Sequence, residues 1–275
     1  MTGVERVPPG FGRDGDGRLL IAGRAAEDWV SEAGDTPLFL YDAGLVRTRV
    51  AELRDALPAG VAIHYAVKAN PFAPLLQLLA PLVDGFDVAS AGELALVPGD
   101  KGRVGFAGPG KRDRELAAAI AAGATISLES PGEAGRALAI AQGTARPLHA
   151  LLRVNPPFEL RGSGMRMGGG ARAFGVDLEQ APDVLAMLVA GGAHVRGFHI
   201  FAGSQNLDAE AIADAQAATV TLAAELAACL PGPPELVNLG GGFGLPYFAG
   251  DRPLDLARVG DRLADTLARR PPVLR

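Results

Sequence analysis

Residues 62–82 read AIHYAVKANPFAPLLQLLAPL, and the fold follows from how this stretch divides. Its first six residues, AIHYAV, form a short apolar run that predicts a strand. APLLQLLAPL, at its end, carries leucines at helical spacing. A strand that passes to a helix through a short polar turn is half of a βαβ unit. The turn itself holds Lys68, just where the apolar run stops. A cationic amine there costs desolvation free energy unless something pairs with it or reacts with it. The plain alternative is an exposed lysine at a strand end.

Working outward, the same rhythm repeats. FDVAS (86–90), RVGFAG (103–108), TISLES (125–130), HALLRVN (149–155), VRGFHI (195–200) and ELVNLGG (235–241) read as strands. Ala- and Leu-rich segments such as DRELAAAIAAG and LDAEAIADAQAATVTLAAELAACL separate most of them. Seven strands are countable, and PPVLR (271–275) reads as the start of an eighth. The economical prediction is an α/β fold of the (β/α)8 TIM-like barrel type. A doubly wound open sheet is the alternative, although no GxGxxG follows the first strand. Residues 1–35 stand outside the rhythm: RLLIAGR reads as one strand and AAEDWVSEAG as a short helix. They form an N-terminal extension to a barrel domain over 36–275, with GLVRTRVAELRDAL a helix ahead of the first strand. The segment 156–178 is Gly-rich and unperiodic, which marks a functional loop.

Composition narrows the function classes. The chain has 275 residues, 48% of them hydrophobic and 21% charged, with a formal net charge of -5. The charges are interspersed and no basic block stands out, so nucleic acid is not an expected partner. A single cysteine, Cys229, rules out an intrachain disulfide framework and a cysteine-cluster metal site, and no metal is expected. The N-terminus lacks an apolar signal region, and no run of about 18 apolar residues follows. No membrane association is expected, and the cytoplasm is the expected compartment.

In a barrel, reactive groups gather at the C-terminal ends of the strands. On that scheme Lys68, Asp87, Ser90, Lys111, Glu129, Arg153, Asn155, His199, Phe201, Ser204 and Gly240 to Gly242 share one mouth. The triple glycine in LGGGFG lets backbone N–H groups approach an anion, and Ser204 in FAGSQ adds a hydroxyl. A phosphate cup facing an amine across a barrel describes a pyridoxal phosphate pocket, in which the lysine forms a Schiff base with the aldehyde. Each feature also has a plain reading. The glycines make a tight turn, Asp87 and Glu129 hold loops, and Phe201 is core. His199 is a hydrogen-bonded core histidine, as are His64, His149 and His194.

TPLFLYD, HYAVKAN, FDVASAGEL, FAGPGK, LRVNP, GFHIFAGSQ and LGGGFG occur in that order over residues 36–244. With these motifs the sequence resembles the fold type III pyridoxal-phosphate-dependent decarboxylases, the family of diaminopimelate, ornithine and arginine decarboxylases. The resemblance implies a barrel of the alanine racemase type and a homodimer. It implies decarboxylation of an α-amino acid on pyridoxal 5'-phosphate held by Lys68, with Arg153 and His199 as the other catalytic candidates. Arg153 is implied near the phenolic oxygen of the cofactor, and Ser204 with Gly240, Gly241 and Gly242 at its phosphate. Asp87 and Glu93 are implied near the Lys68 end or in support of the mouth. The family usually stacks a histidine on the pyridine ring, where this sequence has Phe201. Phe201 can stack but cannot titrate, which leaves the role of His199 open.

The family continues past strand eight with a glutamate that keeps the pyridine nitrogen protonated, then a C-terminal β-domain that pairs with the N-terminal extension. This sequence stops at PPVLR, so a barrel cut short before closure is expected. GSGMRMGGGARAFGVD, GSQNL and GFGLPYF resemble the subgroup found with exosortase-type systems and natural-product pathways, so an aminoacyl carrier protein joins free amino acids as an expected substrate partner. A catalytically silent binding homologue and an amino-acid racemase on the same barrel are the competing functions. Retention of Lys68, Arg153, Ser204 and the glycines argues against the first, and the motif order argues against the second.

Overall fold

A computed structural model describes residues 10–160, 162, 165–166, 173–248 and 250–274. The chain divides into two compact units, one up to Leu53 and one from Arg54 onward. In the first, β1 (Gly12–Arg13), β2 (Leu19–Ile21) and β3 (Arg24–Ala25) form an antiparallel ladder that leads into α1 (Ala26–Ala33). RLLIAGR is therefore two strands and not one. Ala22 and Gly23 both take positive φ, 51° and 76°, which reverses the chain between β2 and β3. Trp29 Nε1 donates to the Ile21 carbonyl at 3.1 Å and lies under the Arg24 guanidinium at 4.4 Å, fastening α1 to the ladder. Asp42 then caps α2 (Ala43–Ala56) by accepting from the Gly44 N–H at 2.7 Å.

The second unit alternates strand and helix. β4 (His64–Ala66), α3 (Ala73–Leu79), β5 (Gly85–Val88), α4 (Ala91–Leu96), β6 (Val104–Phe106), α5 (Asp113–Ala122), β7 (Thr125–Leu128), α6 (Pro131–Thr144) and β8 (His149–Asn155) come first. After β9 (Met165–Arg166) follow β10 (Val176–Asp177), α7 (Ala181–Ala190), β11 (His194–Ile200), β12 (Gly203–Ser204), α8 (Ala209–Ala227), β13 (Leu236–Asn238) and α9 (Leu256–Ala268). The main sheet runs β13-β11-β8-β7-β6-β5-β4 with every pair parallel. These are the seven expected strands in the expected order. Parallel neighbours need helical crossovers, and the Ala- and Leu-rich segments supply them.

Two expectations need correction. PPVLR is not an eighth strand: Pro272–Leu274 forms a 3-10 turn, since consecutive prolines have no N–H to offer a ladder. Among the described residues the sheet is thus open between β13 and β4. Part of the segment read as unperiodic loop carries strand as well. β10 pairs with β8 at Val154 and Asn155, on the side of β8 that β7 leaves after Leu152, and β9 pairs with β12.

Burial along β8 shows how the sheet is built. Ala150, Leu152 and Val154 are 0–2% exposed beneath the helices, while the alternate residues, Arg153 among them, project from the other face. That period of two places chemistry on one face and packing on the other. Phe106, Phe198, Ile126 and Leu128 fill the helix-side layer. His149 and His194 do not lie in this core. They meet at 3.2 Å between Nδ1 atoms at the N-terminal rim, where His194 Nε2 also lies 2.6 Å from Glu235.

Gly197 marks the tightest strand contact. Its φ is 143°, the β8–β11 register shifts beside it, and a Cβ there would lie 2.0 Å from the Leu236 carbonyl oxygen. Gly197→Ala is expected to lower stability by about 2 kcal/mol or more, because strain and overpacking add. Urea unfolding checks this, and an unchanged midpoint contradicts it.

Candidate active site

The C-terminal ends of the parallel strands bring most of the chosen residues to one rim. Lys68 sits in a 3-10 turn, Val67–Ala69, directly after β4, and it is exposed. The chain has three lysines. Lys101 is partly buried against the Val97 carbonyl, and Lys111 is buried, so Lys68 alone presents its amine to solvent. Asp87, on β5, accepts a hydrogen bond from His64 Nδ1 at 3.1 Å. The pairing has room because Gly105 replaces a side chain beside Asp87, where a Cβ would lie 2.5 Å from Oδ1. His64 is thus a partner of a site residue and not a core histidine.

His199, near the end of β11, is 8% exposed and bonds through Nδ1 to the Ser127 hydroxyl at 3.0 Å. Burial and the neighbouring positive charge of Arg153 drive its pKa down to about 3, opposed by Asp87. Lys111 and Lys68 push in the same direction, so five charged or titratable groups meet in one field. The imidazole is neutral at physiological pH.

Arg153, on β8, is 6% exposed and donates through Nη1 to Glu129 Oε1 at 2.9 Å, with its guanidinium 5.0 Å from the Phe174 ring. Glu93 supports the mouth: its carboxylate accepts from the Ala89 N–H at 2.8 Å, while Ser90 caps α4. The sequence reading left out the use of Glu133. Its carboxylate accepts from the Glu129 N–H at 2.8 Å, and Ser130 caps α6 in the same way. The S-x-x-E spacing of SAGE (90–93) and SPGE (130–133) is the signal that marks both.

Phe201 follows β11 and lies against the glycine turn after β13. A Cβ on Gly240 would sit 2.4 Å from its ring. Gly240 and Gly242 take φ of 71° and 84°, and Gly240 donates its N–H to Asn238 Oδ1 at 2.8 Å. Gly242 packs against Gly203, next to Ser204, and its carbonyl accepts from the Asn206 N–H at 2.8 Å. Nothing lies within 4 Å of where a Gly241 Cβ would be. Among the described residues, the N–H groups of Gly241 and Gly242 and the Ser204 hydroxyl make no protein hydrogen bond. Such a donor set suits the phosphate of pyridoxal phosphate, and the exposed Lys68 amine suits its aldehyde.

A parallel strand-and-helix sheet with an exposed lysine and a glycine turn on its C-terminal rim offers the amine and the anion-facing N–H groups that a phosphate-bearing carbonyl cofactor needs. Residues 43–273 match the family described as pyridoxal-dependent decarboxylase, pyridoxal binding domain, and the chain belongs to that family. It is 31% identical to the L-glutamyl-[BtrI acyl-carrier protein] decarboxylase of Niallia circulans over 84% of this chain and 55% of the relative. To a diaminopimelate decarboxylase of Deinococcus radiodurans it is 34% identical, over 82% of this chain and 57% of the relative. A solved diaminopimelate decarboxylase from M. jannaschii superposes with a TM-score of 0.82 at 25% identity, covering 94% of this chain and 62% of that one. The chain therefore spans little more than half the length of its relatives.

The His199 environment sets a pH dependence. Its folded pKa lies below the unfolded value of 6.5, so the unfolded chain binds the proton first. The stability that rests on neutral His199 is complete above pH 6.5 and drains away as pH falls toward about 3. Urea unfolding over a pH series is expected to show a shallower acid-side loss in His199→Gln than in the parent chain; identical slopes contradict it.

Proposed function

We propose that this chain is the cofactor-binding part of a pyridoxal 5'-phosphate-dependent decarboxylase that acts on an α-amino acid, free or tethered to a carrier protein. The observation that carries the reading is Lys68: the only exposed lysine among three stands at the rim that also bears Arg153, His199 and the glycine turn. When bound, the cofactor supplies an aldehyde for the amine and a ring that accepts the electron pair left when carbon dioxide departs.

The chain's own residues do the rest. Lys68 would hold the aldehyde end of the cofactor through its exposed amine. Gly241, Gly242 and Ser204 would hold the phosphate, while Phe201 offers an apolar face fixed against Gly240. Arg153 contributes a fixed positive charge whose orientation Glu129 sets. Asp87 holds negative charge near the same field, steadied by His64. His199 is neutral and tied to Ser127, so it acts as a hydrogen-bonding wall and not as a charge. A carrier-linked substrate is supported by the similarity to the carrier-protein decarboxylase, and a homodimer by the resemblance carried by the motifs over residues 36–244. The described residues contain no helix long and apolar enough to cross a membrane.

Borohydride reduction of the protein after incubation with pyridoxal phosphate, followed by peptide mapping, is expected to place the label on Lys68 alone. Lys68→Ala should lose both the label and the visible absorbance of the bound cofactor while keeping its fold. A label on Lys101 or Lys111, or no label on the parent chain, contradicts the reading.

A further inference from the structure

Four ionisable side chains are buried together at the rim: Lys111, Glu129, Glu133 and Arg153 are 3%, 4%, 2% and 6% exposed. They come from consecutive βα units and form two ion pairs. Arg153 Nη1 bonds Glu129 Oε1 at 2.9 Å. Lys111 Nζ donates to Glu133 Oε2 at 3.1 Å and lies 3.0 Å from Oε1, which has no hydrogen-bond partner of its own. The pairs are joined through backbone. Glu133 Oε2 accepts from the Glu129 N–H at 2.8 Å. The Gly108 peptide is gripped on both sides, its N–H by Glu129 Oε1 and its carbonyl by Lys111 Nζ. Gly175 adds an N–H to Glu129 Oε2 at 3.4 Å.

Burial pushes the Lys111 amine below and the Glu133 carboxyl above their ordinary values, each opposed by the other's charge. A buried ion pair of this kind is seldom worth more to stability than apolar residues of the same volume. Its contacts point instead to one outcome. The Glu133 carboxylate accepts from the Glu129 N–H and from Lys111, and the Glu129 carboxylate in turn accepts from Arg153.

We propose that Glu133, its charge balanced by Lys111, is a positioning residue for Arg153, acting through the Glu129 backbone N–H. This rests on the reading that Arg153 faces the cofactor. Lys111 neutralises the buried Glu133 carboxylate; Glu133 anchors the Glu129 N–H; the anchored Glu129 carboxylate then sets the guanidinium. Neither Lys111 nor Glu133 touches the reacting groups.

The test uses two double variants of the intact chain, Lys111→Met/Glu133→Leu and Lys111→Met/Glu133→Gln. Both remove the buried charges, but the glutamine keeps an acceptor for the Glu129 N–H. The first readout is the Arg153 side-chain N–H resonance in cofactor-free protein, assigned with Arg153→Lys, together with its protection from solvent exchange. The second is the pH midpoint of the visible band in cofactor-loaded protein. The leucine variant is expected to melt close to the parent temperature, yet lose Arg153 protection and shift the midpoint. The glutamine variant is expected to retain both. Equal behaviour of the two variants, whether both keep or both lose the signal, overturns the proposal, as does a leucine variant that melts well below the parent. Failure of borohydride labelling at Lys68 would instead sink the parent reading, and the cofactor-free resonance separates the two.

Discussion

A strand in a parallel sheet sends alternate side chains to opposite faces, and everything at the rim depends on that alternation. On β8, Leu152 and Val154 are packed under helices at 0% and 2% exposure, so Arg153 between them has no choice of face. The same geometry sets Ser127 and Glu129 on β7 and its end opposite His199 and Arg153, close enough for bonds of 3.0 and 2.9 Å. Because all the main strands run the same way, their last inward residues collect at a single edge. Function then becomes a matter of which side chains end each strand.

Burial gives those side chains unusual properties. In a low-dielectric wall an unpaired charge is costly, so Arg153 is matched by Glu129 and Lys111 by Glu133. Titratable groups inside the same wall lose their charge instead, as His199 does. Lys68 differs from all of these. Its place in a turn past the end of β4 leaves it exposed, as its proposed role toward an aldehyde requires.

Much of this was legible in the sequence. Apolar runs separated by Ala- and Leu-rich segments carry the period that sets strand order, and HALLRVN coincides with β8 from end to end. The rim position of Lys68, Asp87, Arg153 and His199 follows from their places at strand ends. Long-range pairings were not legible: nothing local to Lys111 announces Glu133, and nothing near His64 announces Asp87, since both depend on neighbouring strands coming into register. The split of RLLIAGR turned on Ala22 adopting positive φ, which an alanine rarely does. β10 escaped because two residues inside a glycine-rich segment carry too little pattern to declare a strand.

Family membership rests on residues 43–273, and relatives in that family differ in what they decarboxylate. The proposed site of this chain pairs an exposed lysine with a glycine turn at one rim of its parallel sheet. A crystal structure grown with pyridoxal phosphate tests that arrangement most directly. Continuous density between Lys68 Nζ and the aldehyde carbon, with phosphate oxygens in hydrogen-bond reach of the Gly241 and Gly242 N–H groups, is the expected result. A phosphate bound away from the glycine turn, with Lys68 free in solvent, contradicts it.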